Sequence, residues 1–296
     1  MGTPRVSVVV PTYNHAAFIG AALASVRAQT CTGWEALVIN NHSTDATGAI
    51  VDGFGDARIR RIDFANHGVI AASRNVGIRE ARGDYVAFLD SDDTWLPEKL
   101  AHTLARLEQG CDLVCHAERW TGTGRDRVVR YGPGARATYG QLLYAGNCLS
   151  TSAITVRTAL LRACGAFRED AAFVTAEDYD LWLRLARSGA RFGFIDEVLG
   201  VYRLHADNQI RAIRRNTDAV MAVVEDHFAA LDAGQRDPLR MRRRRAGVLY
   251  SGARGLQDSG QHAEATALYA RARKLDPWHP KIWAGLLTNA LGVALR

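Results

Sequence analysis

Short apolar runs alternate with stretches of helical periodicity through residues 1–120, and this rhythm constrains the fold more than any other feature of the chain. It is the pattern of a mostly parallel sheet covered by helices. Residues 6–10 form a valine-rich strand ended by Pro11, and residues 16–29 place Phe18, Ile19, Ala22, Leu23 and Val26 on one helical face. Residues 34–39 read as a second strand, followed by the helix-start signature Ser43-Thr44-Asp45. A third strand is expected over 58–62, a helix over 69–81, and a fourth strand, apolar on both faces, over 85–89. Pro97 suits the first turn of a helix running to about residue 109, and 112–117 reads as another strand.

In open α/β sheets ligands bind beyond the carboxyl ends of the strands. Three polar segments fall there: Pro11-Thr12-Tyr13-Asn14, Asn40-Asn41-His42-Ser43 and Asp90-Ser91-Asp92-Asp93. Neither the G-x-G-x-x-G fingerprint nor the G-x-x-x-x-G-K-[ST] phosphate loop occurs. A nucleotide diphosphate would therefore need other neutralisation, and a carboxylate-held Mn²⁺ or Mg²⁺ is the candidate. Clustered carboxylates repel one another unless a cation compensates. An exposed Asp-rich turn, or a helix cap at Asp93, explains the tetrad equally well on its own.

Farther along, residues 132–134 mark a loop, 154–156 a strand, and 178–188 an amphipathic helix with Leu181, Trp182 and Leu185 inward. Residues 191–195 and 199–202 read as two short strands, and from about residue 211 the chain turns helical. Residues 244–277 resemble a tetratricopeptide hairpin. Residues 282–295 are amphipathic, with Trp283 and several leucines. The net charge of +6 includes a run at Arg240, Arg242, Arg243, Arg244 and Arg245, which suits RNA, anionic lipid or a plain solvated helix face. No apolar run reaches the roughly 18–20 residues of a membrane span, and the N-terminus does not read as a signal peptide. A cytoplasmic location is the expectation. The five cysteines form no C-x-x-C pair; Cys111 and Cys115 flank a strand and read as buried thiols.

The strings VSVVVPTYNHAAFIGAALASVRAQT, WEALVINNHSTDAT and NHGVIAASRNVGIREARGDYVAFLDSDDTWLPEKL resemble family 2 of the glycosyltransferases. The resemblance covers about the first 115 residues, resumes later, and is most specific from Asn66 to Asp93. It implies the GT-A fold, a Rossmann-like, mostly parallel central sheet flanked by helices, here over residues 1–210, with an α-helical extension over 211–296. It also implies inverting transfer of a sugar from a nucleotide-diphosphate donor, with a divalent metal ion.

By the same resemblance Pro11, Thr12, Tyr13, Asn14, Arg74 and Ser91 border the nucleotide sugar, Asp90 contacts the ribose, and Asp92 ligates the metal. Ala176-Glu177-Asp178 matches a Glu-Asp segment whose second acid is the general base, hence Asp178, with Glu177 as the alternative. His205 matches a histidine that helps hold the metal diphosphate in some members. Arg74 has an alternative role as a partner of Asp84 or Glu80, and Glu169 and Asp170 have no assigned role. Asn40 and Asn41 depart from the pattern, since relatives carry aspartate there to read a uracil imide. An asparagine oxygen accepts without charge assistance, and its NH₂ donates, so uracil, thymine and guanine all stay open. The expected acceptor is a saccharide, lipid-linked in one version, in bacterial surface-glycan assembly. Peripheral membrane contact through the C-terminal region fits that version, a protein contact fits equally, and no nucleic-acid partner is expected. A nucleotidyltransferase and a non-catalytic nucleotide-sugar-binding module are the rival readings.

Overall fold

The computed structural model describes residues 2–122, 126–204 and 209–292, and the side chains of 209–211 are outside that description. In chain order the elements are β1 (Val6–Thr12), α1 (Ile19–Arg27), β2 (Trp34–Asn40), α2 (Thr47–Asp52), β3 (Ile59–Asp63), α3 (Ile70–Glu80), β4 (Tyr85–Phe88), β5 (Thr94–Trp95), α4 (Lys99–Glu108), β6 (Leu113–Thr121), β7 (Arg127–Val129), α5 (Tyr139–Ala145), β8 (Ile154–Arg157), α6 (Thr158–Ala163), α7 (Glu177–Arg187), β9 (Phe192–Arg203), α8 (Gln209–Ala229), α9 (Pro238–Asp258), α10 (His262–Leu275) and α11 (Pro280–Ala290). They divide into two compact units. One comprises Met1–Tyr139, Cys148–Glu169 and Arg184–His205; the other comprises Gly140–Asn147, Asp170–Leu183 and Ala206–Arg296.

The first unit holds one sheet in the order β3-β2-β1-β4-β8-β6-β9-β5, with β7 on β6. β1 to β4, β6 and β9 run one way, while β5, β7 and β8 oppose them. Every residue of β1 and β2 is buried, as strands covered on both faces require. Thr12 is in register with Asn40 and Val9 with Phe88, so the ends of β1, β2 and β4 reach one edge of the sheet. Helix α3 lies close on that layer because residue 77 is glycine: a Cβ there would sit 2.3 Å from Val9 Cγ1. A buried latch closes the strand entrances, where Ser7 Oγ donates to Glu35 at 2.7 Å and Glu35 also accepts from the Arg82 guanidinium and amide.

Several elements differ from the sequence expectation. The two short strands expected near 191–202 are one strand, β9, carried past Asp196 and Glu197 by a register shift opposite His116 and Ala117. β5 is only two residues long, too short to leave a periodic signal. Pro97 precedes α4 in a turn instead of lying in its first turn, because Leu96 N–H and its neighbours are used to dock β5 on β9. Cys111 and Cys115 are free thiols; Cys115 is fully buried as expected, whereas Cys111 is only partly buried.

In the second unit α9 starts with Asp237 accepting from the Arg240 amide and with Pro238 in the first turn. The expected hairpin is present as α9 and α10, its first helix beginning six residues ahead of Arg244. Ala246, Leu249, Ala272 and Ile282 form one core cluster there and Ala253, Leu256, Ala265 and Tyr269 another. Gly285 lets α11 approach closely, since a Cβ would meet the Tyr269 ring at 2.5 Å. Asn289 fastens the contact by donating to the His262 carbonyl at 2.8 Å. No helix among the described residues is long and apolar enough to cross a membrane.

Candidate active site

The strand ends of the first unit open onto a cleft of about 370 Å³, within the usual range for a small-molecule site. Pro11, Thr12, Tyr13, Asn41, Asp90, Ser91 and Asp92 line it, so residues 80 apart in sequence meet there. His15, Asn66, Gly68 and Ile70 line it too, and the sequence reading gave them no role.

The carboxylate turn is held from behind. Ser152 Oγ donates to Asp93 at 2.6 Å and accepts from the Asp90 amide at 3.1 Å, while the other Asp93 oxygen accepts from the Arg203 amide at 2.9 Å. Asp93 is thus a buried brace of the turn and does not cap α4, whose first residue is Lys99. Burial, and then the charges of Asp90 and Asp92, push its pKa up to about 9. Arg74, itself buried, donates to Asp90 at 2.8 Å and lies over the Phe167 ring at 5.5 Å. The alternative partner Glu80 is taken by Arg60 at 2.9 Å. Ser91 is anchored by His15 Nδ1 at 2.7 Å.

Asn14, Asn40 and Arg74 do not line the cleft. Asn14 ties the first strand-end loop to the second: its amide donates to Ser43 Oγ and its Oδ1 accepts from the Thr44 amide. Asn40 is buried, with Nδ2 donating to Asp63 at 2.7 Å and Oδ1 accepting from the Ser43 amide. Asn41 is the member of the pair that faces the cleft. Its Oδ1 accepts from the Asn66 amide at 2.9 Å, which leaves Nδ2 without a hydrogen-bond partner among the described residues.

Asp178 lies in the first turn of α7, in the second unit, and its carboxylate accepts from the Tyr179 amide at 2.6 Å. Glu177 is more deeply buried and accepts from the Thr175 amide. Thr175 holds φ at 87°, a costly conformation for a β-branched residue, and Asn216 of α8 donates to its carbonyl at 2.9 Å. His205 lies outside the described residues.

Among the described residues no group of three or more His, Cys, Asp and Glu is arranged to hold a metal ion. The donor chemistry nevertheless suits Mg²⁺ or Mn²⁺. These ions take one or two carboxylates and complete their shell with phosphate oxygens and water. Asp90 and Asp92 offer hard oxygens at the cleft, and the crowding of charge is visible in Asp93.

The mostly parallel sheet flanked by helices, with a cleft at its strand ends, is the GT-A arrangement. The chain belongs to glycosyl transferase family 2, whose model matches residues 7–159. It is 29% identical over 235 residues, covering 76% of this chain and 89% of the relative, to the UDP-Glc:alpha-D-GlcNAc-diphosphoundecaprenol beta-1,3-glucosyltransferase WfgD of Escherichia coli. Its fold is similar to that of S. aureus TarS 1-349 in complex with UDP-GlcNAc, at a TM-score of 0.67 and 21% identity, covering 99% of this chain and 93% of that one. It is also similar to the mannosyltransferase PcManGT from Pyrobaculum calidifontis in complex with GDP-Man and Mn²⁺, at a TM-score of 0.64 and 20% identity, covering 98% and 87%.

Proposed function

We propose that this glycosyltransferase moves a sugar from a nucleotide-diphosphate donor to a saccharide hydroxyl with inversion, using a divalent metal ion, in bacterial surface-glycan or glycolipid assembly. The observation that carries the reading is the braced carboxylate turn beside Thr12, Tyr13 and Asn41 in one cleft. Tyr13, half exposed, offers a ring for a base, and Asn41 its edge. Asp90, oriented by Arg74, accepts from a ribose hydroxyl in this reading. Asp92 and His205 would hold the Mn²⁺ or Mg²⁺, which when bound neutralises charge on the leaving diphosphate.

Asp178 takes the proton of the attacking acceptor hydroxyl, so a single displacement inverts the anomeric carbon without a protein nucleophile. The donors in the TarS and PcManGT complexes support a nucleotide-sugar substrate, and the Mn²⁺ in the latter supports metal use. The name of WfgD supports a lipid-linked diphosphate acceptor. Residues 1–210 would then be the catalytic domain and 211–296 a helical extension in peripheral contact with the cytoplasmic face of the membrane. The test is transfer and donor hydrolysis by Asp92→Ala and by wild type with EDTA. Both should lose activity at least a hundredfold; full activity in EDTA would end the metal mechanism.

A further inference from the structure

Helix α11 carries a single charged residue, Lys281, and presents an outer face that is otherwise largely apolar. Its exposed positions are Pro280, Lys281, Trp283, Ala284, Leu287 and Ala290, continued by Leu291. Trp283, Leu287 and Leu291 follow one another at four-residue spacing and are 49%, 64% and 67% exposed. Trp278, in the turn before the helix, is 91% exposed. The opposite face is fully engaged, with Ile282 and Gly285 in the core and Asn289 bonded to α10. The apolar outer face is therefore not surplus core.

Two details define what covers it. The Trp283 indole N–H already donates to the Pro277 carbonyl at 2.7 Å, so the ring shows mainly its apolar surface outward. The Arg273 guanidinium lies over that ring at 5.0 Å, and Arg271, Lys274 and Lys281, near it in sequence, are exposed. Glu264, in the first turn of α10, is spent on Arg214, and the half-buried Asp276 stands two residues before Trp278. Apolar residues, indoles and a cationic border form the face of a helix lying in an anionic lipid interface. A two-fold contact between copies would set this cationic border against itself, which argues against a dimer.

The arginine run of α9 does not compete for the role. Arg240 lies over the Tyr144 ring, Arg244 over Tyr179, and Arg245 pairs with Glu225. Arg240, Arg242 and Arg243 are exposed, the last two without an aromatic or carboxylate contact among the described residues.

We propose that the face formed by Trp278, Trp283, Leu287 and Leu291, with its cationic border, docks the enzyme on an anionic bilayer surface. The proposal deepens the membrane contact in the functional reading and needs neither donor nor acceptor. A vesicle assay can therefore fail without touching the transferase chemistry, and the reverse. The full chain is sedimented with vesicles of neutral phospholipid and of neutral phospholipid with one quarter phosphatidylglycerol. Binding should require the anionic lipid, fall about fivefold for each border cation replaced by Gln, and blue-shift tryptophan emission. The triple variant Trp283→Ser, Leu287→Ser, Leu291→Ser should lose at least tenfold in partitioning. All three side chains are exposed, so its melting temperature should stay near wild type, and that is measured alongside. Equal binding to neutral vesicles would overturn the proposal. So would triple-variant binding at the wild-type level, loss of binding only in Arg242→Gln with Arg243→Gln, or a dimer that persists at assay concentration and disappears in the triple variant.

Discussion

The Asn66 amide donates to the Asn41 side-chain oxygen at 2.9 Å and leaves the Nδ2 end of this cleft-lining amide unbonded among the described residues. With the oxygen occupied, the group turned to the cleft is a donor. This narrows the sequence reading, in which either end of the amide was available.

The proposed base contact then has a direct test. Asn41→Asp replaces the NH₂ donor with an oxygen acceptor, which suits the imide N–H of uracil and repels the acceptor edge of cytosine. The ratio of UDP to CDP affinity should rise roughly tenfold, about 1.4 kcal/mol, read by titration calorimetry. Asn40→Asp should leave that ratio unchanged. It would set a second carboxylate against Asp63, where Nδ2 now donates at 2.7 Å, and so should cost stability instead.

The two acids at the start of α7 are separable in the same way. Asp178→Asn should lower kcat by 10²-fold or more while donor affinity stays near wild type, because the proton acceptor is lost without loss of fold. Glu177→Gln keeps an acceptor for the Thr175 amide and should leave kcat within a few-fold of wild type. Glu177→Ala removes that acceptor beside a strained residue and should show mainly as a lower melting temperature. A collapse of kcat in Glu177→Gln alone would move the base assignment to Glu177.

Gly77 links packing to the cleft. It lies one turn beyond Arg74 on α3, and a Cβ there would sit 2.3 and 2.7 Å from the two Val9 methyl groups. Gly77→Ala must push α3 away from β1, at a cost of about 1–3 kcal/mol in urea denaturation. It should also weaken nucleotide binding, since Arg74 rides on the same helix and orients Asp90. Unchanged stability would mean that β1 and α3 separate freely.

The sequence was most informative where one physical rule acts alone. The valine run of β1 and the apolar run of β4 are buried on both faces, and the polar residues that end them do stand at one sheet edge. It was less informative where the signal is shorter than a period. β5 has two residues, and the register shift in β9 hid one strand as two. Asn40 and Asn41 were indistinguishable on paper because adjacent residues at a strand end face opposite ways, and only the bonds to Asp63 and Asn66 separate them. His15 reaches the cleft through a turn made possible by Asn14 at φ 50°, which no hydrophobic pattern encodes. Asn66 follows β3 in a comparable turn, before His67 at the same φ.

His116 gives the molecule a predictable acid limb. It is fully buried at the β6–β9 register shift, Nδ1 bonded to the Ala117 carbonyl at 2.9 Å and Nε2 without a hydrogen-bond partner among the described residues. Burial, and then neighbouring Lys99, push its pKa down to about 3. In the unfolded chain the ring titrates near pH 6.5. Below that the unfolded state gains a proton that the folded state refuses, so the stabilising contribution is complete above about pH 6.5 and is lost progressively as pH falls toward 3. At pH 4.5 the loss is on the order of 3 kcal/mol. His116→Leu should lower stability at pH 7.5, where a hydrogen bond is removed, yet show a flatter decline between pH 6.5 and 4.5. Urea midpoints measured across that window decide it: parallel profiles for variant and wild type would show that another group carries the acid sensitivity.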